Sequence, residues 1–335
     1  MKDKISLINI QKYLDLFPGS RILVVGDLMV DEFIWGSVER ISPEGPVPVV
    51  NVEKETLRLG GAANVVKNIF TLGGKVYVCG VVGEDIWSDY LIQEIEKMGI
   101  KSDGIIKEGS RRTTLKTRII GNNQQIVRYD REDYNDIFPS TKQKFLSYIN
   151  KNLADIDGII ISDYGKGVIT KELLNESLPV LKRAGKIIGV DPKISHFDTY
   201  HGVTIITPNR IEVGAGLGIT VKNSEDIKKA GGKLLEKLGC EAVLVTQGEE
   251  GMTLFHKAGN VSKIPTMARE VYDVTGAGDT VIAACILSLI SGASFYEAAV
   301  IANLAAGRVV GKLGTAFIDK DELSQTIKSY QNLFS

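Results

Sequence analysis

The tetrad Gly276-Ala277-Gly278-Asp279 stands between Val271-Tyr272-Asp273-Val274-Thr275 and the apolar run Val281–Ile290. Two glycines let a backbone come close to a ligand. The helix they open presents unpaired N–H groups and its positive dipole end. Such a spot suits an anion, a phosphoryl group above all. A carboxylate in the same turn would repel that anion, unless its task is to take a proton from a hydroxyl that then attacks phosphorus. The tetrad therefore predicts the centre of a phosphotransferase, with Asp279 as base and the amides of Gly276, Ala277 and Gly278 as the anion hole. A plainer reading stands beside it: an Asp in a first turn stabilises a helix by itself.

The chain has 335 residues (36.5 kDa), 44% hydrophobic and 24% charged, which is enough apolar content for an ordinary soluble globular protein with a large core. A net charge of −1 argues against a dedicated nucleic-acid binder. Cys79, Cys240 and Cys285 are scattered in apolar contexts and read as reduced core residues of a cytoplasmic protein. The longest apolar run, Val281–Ile290, is far short of the roughly 20 residues needed to cross a bilayer, so no membrane segment is expected. Ile5–Phe17, interrupted by Asn9, Gln11, Lys12 and Asp15, reads as an amphipathic helix and not as a signal peptide. His196, His201 and His256 have no paired spacing that would suit zinc.

The elements that must position the tetrad alternate. Candidate strands are Arg21–Val25, Val76–Val82, Gly158–Ile161, Lys186–Val190, Thr204–Thr207 and Ala242–Thr246. Helical patterns lie at Ala62–Leu72, Asp85–Met98, Lys171–Ala184 and Ser224–Leu238. The last third turns helical at Gly278–Ile290, Ser294–Val310 and Lys320–Tyr330. Alternation with near-continuous apolar strands predicts an α/β fold, a mostly parallel sheet with helices on both faces. Val281–Ile290 is apolar all round and should be buried. No repeat or linker marks a second domain, so residues 1–335 read as one.

Two segments break the alternation. Asp31–Val52 holds short β-like pieces, Glu32–Gly36 and Val47–Val52, around Pro43, Pro46 and Pro48. Arg111–Tyr129 reads as a hairpin turning at Gly121-Asn122-Asn123. Together they predict a small inserted β lid, about 31–52 and 111–129, able to cover a cleft. Alternation puts Arg112, Thr114, Lys116 and Arg118 on one face of the hairpin's first strand. Such a row of cations reads either as a solvated edge or as a basic rim, with Arg128, that closes on an anionic substrate.

With these residues in view, a family resemblance emerges. Gly60-Gly61-Ala62-Ala63-Asn64, Asn209-Arg210-Ile211-Glu212 and Asp273-Val274-Thr275-Gly276-Ala277-Gly278-Asp279 resemble, in order, the signatures of the ribokinase/PfkB carbohydrate kinases, over roughly residues 21–315. Further segments look like the D-glycero-β-D-manno-heptose 7-phosphate kinases of that family. They are Arg40-Ile41-Ser42-Pro43-Glu44-Gly45-Pro46-Val47-Pro48-Val49-Val50, Asn123-Gln124-Gln125, Ser162-Asp163-Tyr164, Val190-Asp191-Pro192-Lys193 and Gly311-Lys312-Leu313-Gly314-Thr315. In many bacteria that kinase is fused to an adenylyltransferase. No His-x-Gly-His signature can be built from the three histidines here, so a stand-alone kinase is expected.

The resemblance implies a ribokinase-like three-layer α/β/α fold and ATP and Mg²⁺ as cofactors. It implies Asp279 as base for the anomeric hydroxyl, and Glu212 organising the metal through water. Asn209, Arg210, Ile211, Glu212, Thr246, Gly248 and Asn303 would bind the nucleotide. Asp31, Gly60, Gly61, Asn64, Lys116 and Arg128 would bind the sugar phosphate. Relatives often pair through the lid, so a homodimer is expected. Asn209 with Glu212 also fits a helix cap, and Asn303 a helix-packing role. The usual Phe after Asn-x-x-Glu is replaced by Val213-Gly214-Ala215-Gly216, and the Gly-Gly-x-x-Asn spacing is one residue shorter than in ribokinase.

Other function classes fit less well. A dinucleotide-dependent oxidoreductase fails on its fingerprint, since Gly26-Asp27-Leu28 follows the first strand and Val281 stands where a third glycine would follow Gly278. A non-catalytic sugar-phosphate sensor would have lost the base or the anion hole. Within the kinases, fructose 1-phosphate or tagatose 6-phosphate is the alternative substrate.

Overall fold

A computed structural model describes residues 7–268, 271–312 and 316–330. The strands in chain order are β1 (Arg21–Gly26), β2 (Leu28–Ile41), β3 (Pro48–Gly61), β4 (Lys75–Val82), β5 (Ile105–Lys107), β6 (Thr114–Gly121) and β7 (Gln124–Arg131), followed by β8 (Gly158–Ser162), β9 (Ile187–Asp191), β10 (Ile205–Ile206), β11 (Ala242–Thr246), β12 (Met252–His256) and β13 (Val261–Ile264). The helices are α1 (Leu7–Leu16), α2 (Ala62–Thr71), α3 (Ile86–Lys97), α4 (Pro139–Asn152) and α5 (Lys171–Arg183), then α6 (Arg210–Gly216), α7 (Ser224–Leu238), α8 (Ala277–Ile290), α9 (Phe295–Val309) and α10 (Lys320–Ser329).

Nine strands form the main sheet in the order β13-β12-β11-β10-β9-β8-β1-β4-β5, parallel from β11 to β5, with β12 running opposite to both its neighbours. Side-chain alternation splits the core in two. Ile22 and Val24 of β1 enter a cluster with α2, α8 and α9, whereas Leu23 and Val25 enter one with α4, α5 and α7. This is the expected three-layer fold. Every residue of α8 from Asp279 to Leu289 is buried, as its all-round apolarity requires. The three cysteines are free and buried. No described helix is long and apolar enough to cross a membrane.

The lid is larger than its sequence suggested. β2 and β3 are each 14 residues long, and with β6 and β7 they form a four-stranded sheet in the order β3-β2-β6-β7. The short pieces expected within 31–52 thus extend to residues 28–61, because β3 continues into Gly60-Gly61 and delivers them to the start of α2. β6 lies between β2 and β7, so the row Lys116–Arg118 is interior to the sheet, which overturns the solvated-edge reading. The hairpin turns on Asn122 and Asn123 alone, at φ 49° and 65°, and Gly121 is the last residue of β6. Helix α4 and the pair β12–β13 were not anticipated, the short α6 is the helix that the cap reading of Asn209 and Glu212 implied, and β10 is shorter than Thr204–Thr207. Ile5 and Ser6 of the expected first helix lie outside the described residues, as does Leu313-Gly314-Thr315 of the last motif.

Candidate active site

The parallel strands converge on one rim. β1 ends before Asp27, β8 before Asp163 and Tyr164, β9 at Asp191, and β11 at Thr246, beside the Asn209 that caps α6. Ligands of open α/β sheets bind at this carboxyl edge.

Asp279 lies in the first turn of α8 and is 2% exposed. Its Oδ2 accepts 2.7 Å from Asn64 Nδ2 of α2, and its Oδ1 accepts 2.7 Å from the Tyr164 hydroxyl. Burial pushes its carboxyl up to about 7, against the two hydrogen bonds that favour the anion, and nearby Asp31 adds to the rise. A carboxylate half ionised near neutrality is suited to general-base work. Asn64 is fixed in turn. Asn68 Nδ2 donates to its carbonyl at 2.9 Å, and Thr280 Oγ1 donates to Asn68 Oδ1 at 2.8 Å. Tyr164, Asn68 and Thr280 were not singled out for the site from sequence. Asn68 carried one signal, its position four residues after Asn64 on the same helix face.

Gly276 caps α8 at φ 80°, a conformation that a side chain would strain. One expectation is corrected here: the Ala277 N–H turns back onto the Val274 carbonyl at 3.2 Å. Among the described residues, the amides of Gly276, Gly278 and Asp279 have no backbone acceptor.

Asp31 and Gly60 meet across β2 and β3. A Cβ on Gly60 would lie 2.5 Å from Asp31 Oδ2, so only glycine admits that carboxylate. Gly61, at φ 53°, would clash with the Asp27 carbonyl if it carried a side chain. Asp31 Oδ1 is held at 2.6 Å by Arg118, whose guanidinium also lies over the Phe33 ring. Lys116 and Arg128, the cations expected to meet the substrate, both reach Asp130, at 3.1 Å and 3.0 Å. Asp27 knits the floor together, accepting from the amides of Tyr164, Lys166 and Val168. Burial, with Asp163 nearby, pushes it up to about 6 against those three bonds.

At the start of α6 the capping box is real. Asn209 Oδ1 accepts from Ile211 and Glu212, and Glu212 Oε2 accepts from the Asn209 N–H at 2.8 Å. Arg210 pairs with Glu250, and the Ile211 side chain is 77% exposed. A mainly apolar cavity of about 230 Å³ is lined by Thr246, Gly248, Val274, Ala277, Asn303 and Val310, among others. Asn303 lines this cavity while its Nδ2 donates to the Pro265 carbonyl at 2.6 Å, so it packs the helix and faces the cavity at once.

Asp191 is pushed well above the usual carboxylate range by burial, and by Asp279, Glu212 and Asp163; Glu212 is raised by burial. Mutually repelling carboxylates around one cleft fit a divalent cation. Among the described residues no three His, Cys, Asp or Glu side chains form a ready cage. Such a cation would therefore draw most of its oxygens from phosphate and water, as magnesium does.

The chain's residues 20–322 match the model of the pfkB family carbohydrate kinases. The chain belongs to that family. It is accordingly a phosphotransferase that uses an alcohol group as acceptor. The bifunctional protein HldE of Desulfatibacillum aliphaticivorans is 45% identical over 313 residues, 93% of this chain and 64% of that protein. The bifunctional protein HldE of Nitratiruptor is 46% identical over 309 residues, 92% of this chain and 65% of that protein. The chain thus spans just under two thirds of the length of these relatives. Among solved structures, Arabidopsis thaliana ribokinase complexed with ribose and ATP has a TM-score of 0.72 at 19% identity, covering 92% of this chain and 98% of that one. Phosphofructokinase-2 from Escherichia coli in complex with potassium has a TM-score of 0.76 at 17% identity, covering 93% and 99%. These likenesses establish the ribokinase-like fold, and family membership removes the oxidoreductase from contention.

Proposed function

We propose that this carbohydrate kinase transfers the γ-phosphoryl group of ATP to the anomeric O1 of D-glycero-β-D-manno-heptose 7-phosphate. The product would be the 1,7-bisphosphate, a step of ADP-heptose synthesis for the lipopolysaccharide core. One observation carries the chemistry: a buried carboxylate ionising near 7, anchored by Asn64 and Tyr164, sits at the mouth of a helix whose Gly276 and Gly278 amides have no backbone acceptor among the described residues. The substrate assignment rests on the heptose-kinase motifs and on the extent of identity to the HldE proteins.

In the reaction, Asp279 takes the proton of the O1 hydroxyl. The oxygen bonds to the γ-phosphorus as the bond from phosphorus to the bridging β,γ-oxygen breaks, and ADP leaves. The Gly276 and Gly278 amides stabilise the phosphoryl oxygens. Mg²⁺, when bound, neutralises phosphate charge. Glu212 and Asp191 would hold it through water, while Asn209 orders the loop beside it. The adenine would enter the apolar cavity between Thr246, Gly248 and Asn303. Asp31, Gly60, Gly61 and Asn64 would bind the sugar, and Lys116 and Arg128 its phosphate.

A cytoplasmic homodimer through the lid completes the reading. The lid face opposite Asp31 carries Ile34, Ile119, Val127 and Tyr129 in adjacent strands, and the last two are 47% and 39% exposed. Purified protein with Mg²⁺-ATP and a panel of sugar phosphates tests the assignment. Faster turnover of fructose 1-phosphate or tagatose 6-phosphate than of the heptose phosphate rejects the substrate. Binding without turnover favours a sensor.

A further inference from the structure

Lid and body meet at a charged cluster whose body-side member has no role so far. Lys166, in the loop after β8, brings Nζ to 2.7 Å from Glu132, which follows β7. Lys116 of β6 reaches the same carboxylate at 3.3 Å, besides Asp130. These side chains are only 10–15% exposed. Lys166 also lies 4.2 Å from the centre of the Tyr134 ring. With Arg118 and Arg128, four cations here face three carboxylates, Asp31, Asp130 and Glu132. Among these groups the cations outnumber the carboxylates by one, and the two lysines with Glu132 are a shielded part of the cluster. Two shielded lysines sharing one carboxylate still have ammonium N–H groups to give.

We infer that Lys166 of the body and Lys116 of the lid form the subsite for the distal phosphate of the sugar, and that Glu132 holds the two lysines in place while the subsite is empty. The inference rests on the reading of the substrate as a sugar phosphate. A phosphate dianion brings three acceptor oxygens to the two lysines, and lysine serves such a group as a compact point charge. The placement suits a sugar whose other end is at the base. Lys116 shares a lid face, and a register position, with Asp31, while Lys166 is two residues past Tyr164, which touches Asp279. A phosphate gripped from both sides draws the lid onto the body and keeps water from the transfer site.

The test compares Lys166→Met, Lys166→Arg and Glu132→Gln with wild type, on each sugar phosphate and its unphosphorylated counterpart. Lys166→Met should raise KM for the phosphorylated sugar about ten- to a hundredfold, the scale of one lost charged hydrogen bond. KM for the unphosphorylated sugar and for ATP should change little, and Lys166→Arg should retain the preference. Glu132→Gln, which removes the competing carboxylate, should leave KM for the phosphorylated sugar unchanged or lower it. If both neutral variants weaken the two sugars alike, Lys166 only latches the lid and the inference is overturned. An unchanged KM in folded Lys166→Met overturns it too. If wild type itself has no preference for phosphorylated sugars, the sugar-phosphate reading fails first, separately from the subsite.

Discussion

Tyr164→Phe removes a single oxygen, and the structure says what that oxygen does: it donates to Asp279 Oδ1 at 2.7 Å. The carboxyl ionises at about 7 because burial outweighs two donors that favour its anion. A hydrogen bond to a charged group is worth about 1.5–3 kcal/mol, and one pKa unit about 1.4 kcal/mol, so losing this donor should raise the base by about one to two units. A base works as its anion, so activity is lost as pH falls through its pKa. The acid limb of kcat/KM should therefore move from near 7 to about 8–9. At pH 7 the ionised fraction would drop from about a half to between about a tenth and a hundredth, and kcat/KM would fall about five- to fiftyfold. Above the new limb most of the rate should return. Tyr164 itself cannot supply the limb, since burial and the Asp279 charge hold its hydroxyl well above the usual phenol range. ADP release measured from pH 5.5 to 10 at constant ionic strength is the assay. A loss of rate that is uniform across pH, with the limb still near 7, would refute the reasoning. It would mean that Tyr164 acts on substrate and not through the base.

Asp279→Asn should lower turnover about 10²–10⁴-fold while the ATP dissociation constant, read by calorimetry, stays within a few-fold; near-normal turnover would mean that another group takes the proton. The same substitution should also change stability with pH. Folded Asp279 binds its proton up to about 7, whereas the unfolded group releases it near the ordinary aspartate value of 3.8. Wild-type stability from this group is therefore present below pH 3.8 and lost progressively up to about pH 7, by as much as about 4 kcal/mol. The melting temperature of Asp279→Asn relative to wild type should thus climb between pH 4 and 7 and then level off, and a flat difference would argue that Asp279 is not raised. Lys116→Ala should raise KM for the phosphorylated sugar about tenfold, and Arg128→Ala by less, because Lys116 is 15% exposed and Arg128 48%; steady-state kinetics at saturating ATP distinguishes the two.

The sheet was legible because its strands are apolar on both faces and its helices keep one period. The same regularity concealed β12 and β13, since an antiparallel pair at the edge has no helix between its strands to announce it. α4 was missed because only Thr141, Phe145, Ile149 and Asn152 of its fourteen residues are buried, a sparse stripe in a polar segment. The lid was found but cut short. β3 is mostly exposed up to Glu55 and buries only its last three residues, so no strict alternation ran through to Gly61.

The site divides along a different line. Residues that act through their own backbone are visible in sequence, because glycine is the only type that suits them: Gly60 beside Asp31, and Gly276 at φ 80°. Residues that act on another side chain are not. Tyr164 reaches Asp279 across 115 positions and Thr280 reaches Asn68 across 212, distances that only the parallel sheet closes. Lys116 and Arg118 show the same limit in their charges. A row of cations reads alike whether its counter-ions are solvent, substrate or neighbouring strands. Here Asp31 sits on β2, Asp130 on β7 and Glu132 just past it, and the lid's strand order brings all three to those cations. That order places β6 inside the sheet and turns a row that could have been a solvated edge into cations paired within the lid.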